Sequence, residues 1–416
     1  MSIRDLLFKA VMNRAPRVRG FTKKYYFAHP FLDAFFVWFP LGNMKYGGAE
    51  IGEIYNVASR INERDPMSWG KEWTTEGARV EALATKLLEQ GHKISARTAF
   101  LRAFTYYRTA HIFYGPGETQ AEMTRTFKSL QSCFKQFAEL ADTPIEMVQV
   151  PHAKSTKYQN KTMRGYSFLV SNDGKKRPTV IFLQGAESMS EDVYFWTAAA
   201  GTQRGYNVLT ADMPGDMVTR IYDPDFILDD PCDAALHALV DYALSRSEVD
   251  AEKLAVIGVS MGGYKAGRIA QIDSRVKAVV ANAPMLNAGK VLEEMKRVPK
   301  LGKGARDYAT RFCWQYGIEP GGNLKENVTR LVDEIWSSFT VDPTKITCPF
   351  MIIAGENELG KEAILQVHEF DKLLASTNKT KRITTEEEGA EAHCQLNNFG
   401  LQHQISYDFL DEVFGL

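Results

Sequence analysis

The chain has 416 residues, 44% of them hydrophobic, enough to bury one large core and a second, smaller one. Lysine and arginine number 50 against 51 aspartates and glutamates, a formal charge of −1, which excludes the electrostatic footprint of a nucleic-acid or membrane-surface binder. The five cysteines, Cys133, Cys232, Cys313, Cys348 and Cys394, are odd in number and lack C-x-x-C or zinc spacing, so reduced thiols and a cytoplasmic location are expected, with no metal site.

In chain order, the stretch from Met1 to Met12 carries scattered charge and no uninterrupted apolar run, and a secretory signal is not expected. Phe31–Leu41 is apolar and aromatic, but it is short and interrupted by Asp33 and Pro40, so it should pack inside a domain rather than cross a bilayer. Trp69–Glu89 and Ile94–Phe113 repeat apolar residues at three- and four-residue intervals; Gly115-Pro116-Gly117 breaks the pattern and Gln120–Ala141 resumes it. Residues 1–143 therefore read as a helical domain with its boundary near Asp142–Pro144. Helices placed ahead of a catalytic domain can fold over it as a lid that excludes water. Tyr106, Tyr107 and His111, in the aromatic stretch Phe100–Tyr114, are the expected pocket lining; the same rings at helical spacing also suit a helix–helix core.

From Ile145 the period changes. Met147–Pro151 and Gly165–Ser171 read as strands, followed by Pro178–Leu183, Asn207–Asp212, the run ending at Val259, Val276–Ala281, Pro349–Ala354 and Lys381–Thr385, with helices between the later ones. Alternation of this kind requires an α/β fold over residues 144–416, a mostly parallel sheet flanked by helices. Residues 289–336 read as a helical insertion that could add to the lid. There is no repeat, low-complexity tract, phosphate-cradling loop or metal constellation, and no cofactor is implied.

The chemistry is concentrated in Gly258-Val259-Ser260-Met261-Gly262. G-x-S-x-G between an apolar strand and a helix is a nucleophile elbow, in which the serine stands on a strained turn that leaves no room for neighbouring side chains. Ser260 is the expected nucleophile, with the Met261 N–H facing the carbonyl under attack. A serine needs a base and a group to orient it. The loop after Pro349–Ala354 offers Glu358 as the acid, with Glu356 as the alternative, and the loop after Lys381–Thr385 offers His393, which alone of the eight histidines satisfies Ser…acid…His order in a loop. The second oxyanion donor should come from the loop after the third strand, Gln184-Gly185-Ala186-Glu187-Ser188, through the N–H of Ala186 or Glu187. A carboxylate facing an oxyanion would repel it, so Glu187 faces away as a brace, caps the helix beginning near Ser190, or works as a protonated acid with a raised pKa.

These residues together resemble those of an α/β-hydrolase core, and with the first 143 residues they lead one to expect that core with an N-terminal helical cap domain. The run Gln184–Glu191, the Asp212-Met213-Pro214-Gly215-Asp216 turn, the elbow, and the Gly355 and His393 loops resemble the group containing 2,6-dihydropseudooxynicotine hydrolase and the fungal hydrolases that shorten polyketides in melanin-pigment synthesis. The resemblance covers most of the chain. It implies cleavage of a carbon–carbon bond beside a ketone, with Glu187 at the position of the acidic residue implicated in those sites. The triad acid of that group is usually aspartate; here the matching residue is Glu358, one methylene longer. The expected partner is a small ketonic or acyl molecule, of the β-dicarbonyl or polyketide-like kind. A carboxylester or thioester hydrolase or an acyltransferase would use the same triad, and a binding protein that keeps the fold without catalysis is the reading from a different class. The sequence leaves open whether the chain is a monomer or a homodimer.

Overall fold

Eight short runs, most of them β-branched or apolar, form one sheet: β1 (Ile145–Pro151), β2 (Thr162–Phe168), β3 (Arg177–Leu183), β4 (Asn207–Ala211), β5 (Val249–Val259), β6 (Ala278–Asn282), β7 (Phe350–Gly355) and β8 (Lys379–Thr384). The computed structural model describes residues 3–228, 231–300 and 303–416. The strand order is β1-β2-β4-β3-β5-β6-β7-β8. β1, β2 and β4 pair antiparallel, and every pair from β4–β3 to β7–β8 is parallel. β4, β6 and β7 are buried at every position, as strands covered by helices on both faces must be, and their sequences are accordingly almost unbroken apolar runs.

β3 connects onward to β4 on one side and its other neighbour, β5, connects onward to β6 on the opposite side, so the connections leaving β3 and β5 run in opposite directions. Such a switch point opens a crevice at the carboxyl ends of the strands, where ligands of parallel α/β sheets bind. The loops that leave β3, β5, β7 and β8 at that edge are the four singled out in the sequence.

The chain divides into two compact units, Met1–Asp142 with Lys300–Arg311, and Thr143–Pro299 with Phe312–Leu416. The first is helical, built on Pro66–Glu89, Lys93–His111 and Gln120–Glu139. Asp65 starts the first of these by accepting from Met67 N at 3.0 Å, ahead of a proline that fits the first helical turn. Gly70 and Gly77 lie where a Cβ would come within 2.5 Å of the Tyr114 ring and 2.8 Å of the Tyr107 ring; their missing side chains let these rings lie flat on the helix. Phe31–Leu41 is largely buried within this unit.

Within the 289–336 segment, expected as a helical insertion that could add to the lid, Lys300–Arg311 groups with the helical unit. Tyr308 takes a hydrogen bond from Arg19 at 2.7 Å and packs its ring against Phe31 and Phe35, and Arg311 donates to the Ile112 carbonyl. Residues 301–302 of that segment, like Met1 and Ser2, lie outside the described residues. Among the described residues no helix is long and apolar enough to cross a membrane. All five cysteines are free thiols.

Candidate active site

Ser260 sits between β5 and the helix Met261–Ile272 with φ 57° and ψ −122°, a conformation non-glycine residues hold only when the surroundings enforce it. The glycines around it show what enforces it. A Cβ on Gly258 would stand 2.0 Å from the Gly262 carbonyl oxygen, one on Gly262 1.8 Å from the Leu183 oxygen, and one on Gly263 2.5 Å from the Asn282 oxygen. β3, β5 and β6 thus close on the turn so tightly that only hydrogen fits at those positions. Ser260 N donates to Asn282 O at 3.0 Å, and Gly263 N donates back to Ser260 O at 2.7 Å.

The Ser260 hydroxyl lies 2.9 Å from His393 Nε2. The other ring nitrogen, Nδ1, donates to Glu358 Oε2, and Glu358 Oε1 accepts from the Gly355 backbone N–H at 2.8 Å. A carboxylate can only accept, so the imidazole carries its proton on Nδ1 and offers Nε2 as the acceptor for the serine hydroxyl. Glu358 and His393 are out of water, 1% and 2% exposed, and Ser260 is half-buried. Glu356 is exposed and accepts instead from the Glu386 N–H at 2.6 Å, so of the two carboxylates in the loop it is Glu358 that meets the histidine.

The histidine loop is locked to its neighbours. A Cβ on Gly355 would meet the Glu391 carbonyl oxygen at 2.3 Å, and Asn357 N donates to that oxygen at 3.2 Å. Cys394 and Gln395 both take positive φ, 55° and 52°, and the Gln395 amide is held by Asn282 Nδ2 at 2.7 Å and the Thr384 hydroxyl at 3.1 Å. Cys394 Sγ lies 3.5 Å from His393 Nε2.

The loop after β3 crosses directly over Ser260: a Cβ on Gly185 would be 3.1 Å from Ser260 Cβ. Ser188 N donates to Gly185 O at 3.2 Å, closing a turn with Ala186 and Glu187 at its centre, and Glu187 is buried. Both ends of the loop are tied to one residue: Asp212 Oδ1 accepts from Gln184 Nε2 at 2.7 Å and from Ser190 N at 3.0 Å. Burial, and after it the nearby Glu191 and Asp216, push the Asp212 carboxyl well above its ordinary range. The residue that binds back to start the short helix Ser190–Asp192 is Asp192, whose carboxylate accepts from Met189 N at 3.1 Å. Met261 opens the helix that follows Ser260, and the first N–H groups of a helix have no partner within it.

The structure brings together Ser260, Met261, Ala186, Glu187, Glu358 and His393 at one edge of the sheet. Tyr106, Tyr107 and His111 it places inside the helical unit. Tyr106 donates to Glu53 at 2.5 Å and Tyr107 to Glu81 at 2.6 Å, so both hydroxyls are engaged by carboxylates of that unit. His111 is fully buried beside the Phe127 ring, and burial followed by Arg108 and Arg311 drives its pKa well below 6.5. The sequence reading missed Gln315, which donates to the Ala186 carbonyl at 2.8 Å, and the shared anchor Asp212. Asp212 stood in a quoted motif; Gln315 stood in none.

A mostly parallel eight-stranded sheet with an elbow serine and acid and histidine loops at its carboxyl edge makes the chain an α/β-hydrolase enzyme. It belongs to the FrsA-like esterase family, whose profile matches residues 61–304, more than half of its length. It is similar to the hydrolase phmG of Phaeosphaeria nodorum, 27% identical over 428 aligned positions that cover 90% of this chain and 92% of that one. The hydrolyase poxO of Penicillium oxalicum is 27% identical over 412 positions, covering 89% and 94%. The alpha/beta hydrolase xenA of Xenoacremonium sinensis is 26% identical over 418, covering 90% and 94%. Among solved structures, 2,6-dihydroxy-pseudo-oxynicotine hydrolase superposes with a TM-score of 0.69 at 16% identity, covering 90% of this chain and 96% of its own. AbyA5 does so with 0.64 at 14%, covering 92% and 94%. At such identities the two structures speak for the fold, and they are the kind of fold that the Gln184–Glu191 loop and the elbow led one to expect.

Proposed function

We propose that the enzyme is a serine hydrolase with a Ser260–His393–Glu358 triad that cleaves a carbon–carbon bond beside a ketone in a β-dicarbonyl or polyketide-like substrate. The observation that carries this reading is the unbroken relay from the Gly355 N–H through Glu358 and His393 to the Ser260 hydroxyl. Ser260 Oγ attacks the ketone carbon while His393 Nε2 takes its proton, and Glu358 stabilises the imidazolium that results. The oxyanion is received by the N–H groups of Met261 and of Ala186 or Glu187. Collapse of the tetrahedral adduct re-forms the carbonyl as an ester on Ser260 and breaks the bond to the α-carbon, whose electron pair is delocalised into the second carbonyl as an enolate. The proton that His393 took from Ser260 completes the leaving ketone, directly or relayed through a protonated Glu187 that His393 then reprotonates, and this returns the imidazole to its neutral form. Water, deprotonated by His393, then cleaves the acyl-serine and releases a carboxylic acid.

The resemblance of the Gln184–Glu191 loop to ketone-cleaving hydrolases and the burial of Glu187 at the same turn favour a carbon leaving group. Hydrolysis of a carboxylester or thioester by the same triad is the second reading, favoured by the description of the family as esterases.

The test is to incubate the protein with a fluorophosphonate, map the adduct, and follow products from a phenyl β-diketone and a matched p-nitrophenyl ester. Labelling at Ser260, its loss in Ser260→Ala, and release of a carboxylic acid and a methyl ketone from the diketone are expected. Ester turnover without diketone cleavage leaves the second reading standing; a Ser260→Ala protein within tenfold of wild type refutes both.

A further inference from the structure

The loop after β3 is anchored at its two ends by Asp212, but its central peptide, which carries the Ala186 carbonyl and the Glu187 N–H, is held from elsewhere. We propose that Gln315 is the positioning residue of the oxyanion hole: its side-chain amide fixes the Ala186–Glu187 peptide so that the backbone donors of that turn face the nucleophile. The inference rests on the serine-hydrolase reading and goes beyond it, because Gln315 touches neither triad nor substrate in that mechanism.

The geometry is specific. Gln315 Nε2 donates to Ala186 O at 2.8 Å, and Gln315 is 1% exposed. Its Oε1 has no hydrogen-bond partner among the described residues. Turning the amide round would set that oxygen against the Ala186 carbonyl oxygen, so the donor orientation follows from chemistry. The carbonyl and the N–H of one peptide point in opposite directions. Holding Ala186 O on one side therefore aims Glu187 N–H to the other, and fixes the chain that carries Ala186 N–H one peptide earlier. In a four-residue turn the central peptide is the one that flips between turn types, and the flipped type II form needs a positive φ at its third residue; Glu187, the third residue of the 185–188 turn, has none.

Gln315 is itself held rigidly. It ends the helix Lys303–Gln315, and the chain leaves through Gly317 at φ 83°, with Ile318 N donating to Cys313 O at 2.9 Å and Gly317 N to Trp314 O at 3.0 Å. On its other side Gly215, at φ 82°, lets the turn after β4 approach so closely that a Cβ there would be 3.3 Å from the Gln315 carbonyl oxygen. That turn runs from Asp212, the anchor of both loop ends, to Asp216, which lies 3.4 Å from the Gln184 amide. A peptide fixed before the reaction costs no reorganisation when charge develops, which is where oxyanion donors gain their effect.

The variants are Gln315→Met, which keeps the shape and removes the donor, and Gln315→Glu, which keeps the size and sets a carboxylate against the Ala186 oxygen. Each is measured for kcat and KM on the p-nitrophenyl ester, for affinity towards a trifluoromethyl ketone, which adds to Ser260 as an oxyanion, and towards the corresponding secondary alcohol, which does not; melting temperature is recorded beside them. Loosening rather than deleting the donors should lower kcat about 10- to 100-fold and weaken trifluoromethyl ketone binding in proportion, with KM and alcohol affinity unchanged. Gln315→Glu should lose at least as much as Gln315→Met. Folded variants with wild-type kcat overturn the proposal, as does an equal loss of affinity for ketone and alcohol, which would make Gln315 a general packing residue. A wild-type protein that fluorophosphonate does not label at Ser260 instead overturns the hydrolase reading on which the inference stands.

Discussion

Replacing Glu358 by glutamine tests the relay at the point where two hydrogen bonds meet on one side chain. Oε1 accepts from the Gly355 N–H and Oε2 from His393 Nδ1. Glutamine has one oxygen and one nitrogen to put in these places, and the Gly355 N–H, a fixed donor at 2.8 Å, claims the oxygen. The amide NH2 is then turned towards Nδ1, which must become the acceptor, and the imidazole proton moves to Nε2. There it faces the Ser260 hydroxyl, 2.9 Å away, and the base is blocked by its own proton. A misplaced tautomer of this kind lowers kcat by about 10⁴-fold, roughly 5.5 kcal/mol at 1.36 kcal/mol per tenfold. Glu358→Ala removes the acceptor without supplying a competing donor, so the glutamine variant should be no more active than the alanine one despite its closer shape. Burst kinetics with a p-nitrophenyl ester measure the acylation step, and ¹⁵N shifts of His393 read the tautomer. A glutamine variant that keeps more than about a tenth of wild-type acylation, with its proton still on Nδ1, refutes the argument. Glu356→Gln serves as the control, since that exposed side chain accepts only from the Glu386 N–H and should change the rate by no more than about twofold.

Glu187→Gln should depress cleavage of a β-diketone far more than hydrolysis of the matched p-nitrophenyl ester, because an enolate leaving group needs a proton donor that an activated phenolate does not; equal losses on both substrates make Glu187 a brace. Asp212, whose carboxyl is pushed well above 3.8 by burial and the nearby Glu191 and Asp216, keeps its proton in the folded chain after the unfolded chain has released it. Its contribution to stability is full below pH 3.8 and is lost as pH rises above it. In Asp212→Asn, which can still accept from Gln184 and Ser190, the melting temperature should therefore hold up better than wild type between about pH 4 and pH 8, and parallel curves refute this. His111 shows the opposite sign. Burial with Arg108 and Arg311 holds its pKa well below 6.5, so the stability it contributes is present above pH 6.5 and lost as pH falls below it. His111→Phe should make melting less dependent on pH between about 7 and 5, and an unchanged dependence would show that other groups set the acid limit.

How much of this was legible in the sequence depends on the range over which each residue acts. Ser260 announces itself because the elbow is local: strand, small-residue turn and helix are contiguous, and the glycines are forced by contacts within one loop and its neighbours. His393 was legible through chain order and the alternation of strands and helices. Spacing after the strand-ending glycine favoured Glu358 but left Glu356 open, because the choice depends on which side chain can reach both Gly355 N–H and the imidazole, a matter of loop conformation. Tyr106 and Tyr107 illustrate the ambiguity of an aromatic run at helical spacing. Their partners, Glu53 and Glu81, lie on other segments of the chain, and nothing in the run itself reports a half-buried carboxylate within reach of each hydroxyl. Gln315 was invisible for the same reason in stronger form. Its neighbours in sequence make an ordinary helix end, and its role comes from a carbonyl on a loop far earlier in the chain. The division of the 289–336 segment was also illegible, since helical periodicity shows that a helix is amphipathic without showing which of two cores takes its apolar face.

The glycines around Ser260 fall into two groups that separate holding the fold from leaving room for chemistry. At Gly258, Gly262 and Gly263 a Cβ would lie 2.0, 1.8 and 2.5 Å from backbone oxygens, and backbone cannot yield by such amounts without moving a strand. These three are fixed by the approach of β3, β5 and β6 and would be required even if Ser260 had no reaction to perform. Gly185 differs: its Cβ would meet Ser260 Cβ at 3.1 Å and the hydroxyl oxygen at 3.6 Å, a crowding that a few tenths of an ångström would relieve. Folding alone does not demand glycine there. What the missing side chain preserves is space over Ser260 beneath the loop after β3, which in the proposed mechanism is where the attacked carbonyl is seated. The tight glycines fix the Ser260 turn and the looser one leaves space over it; on the proposed reading the Ala186–Glu187 peptide turns its N–H towards that space while Gln315 holds its carbonyl from the opposite side.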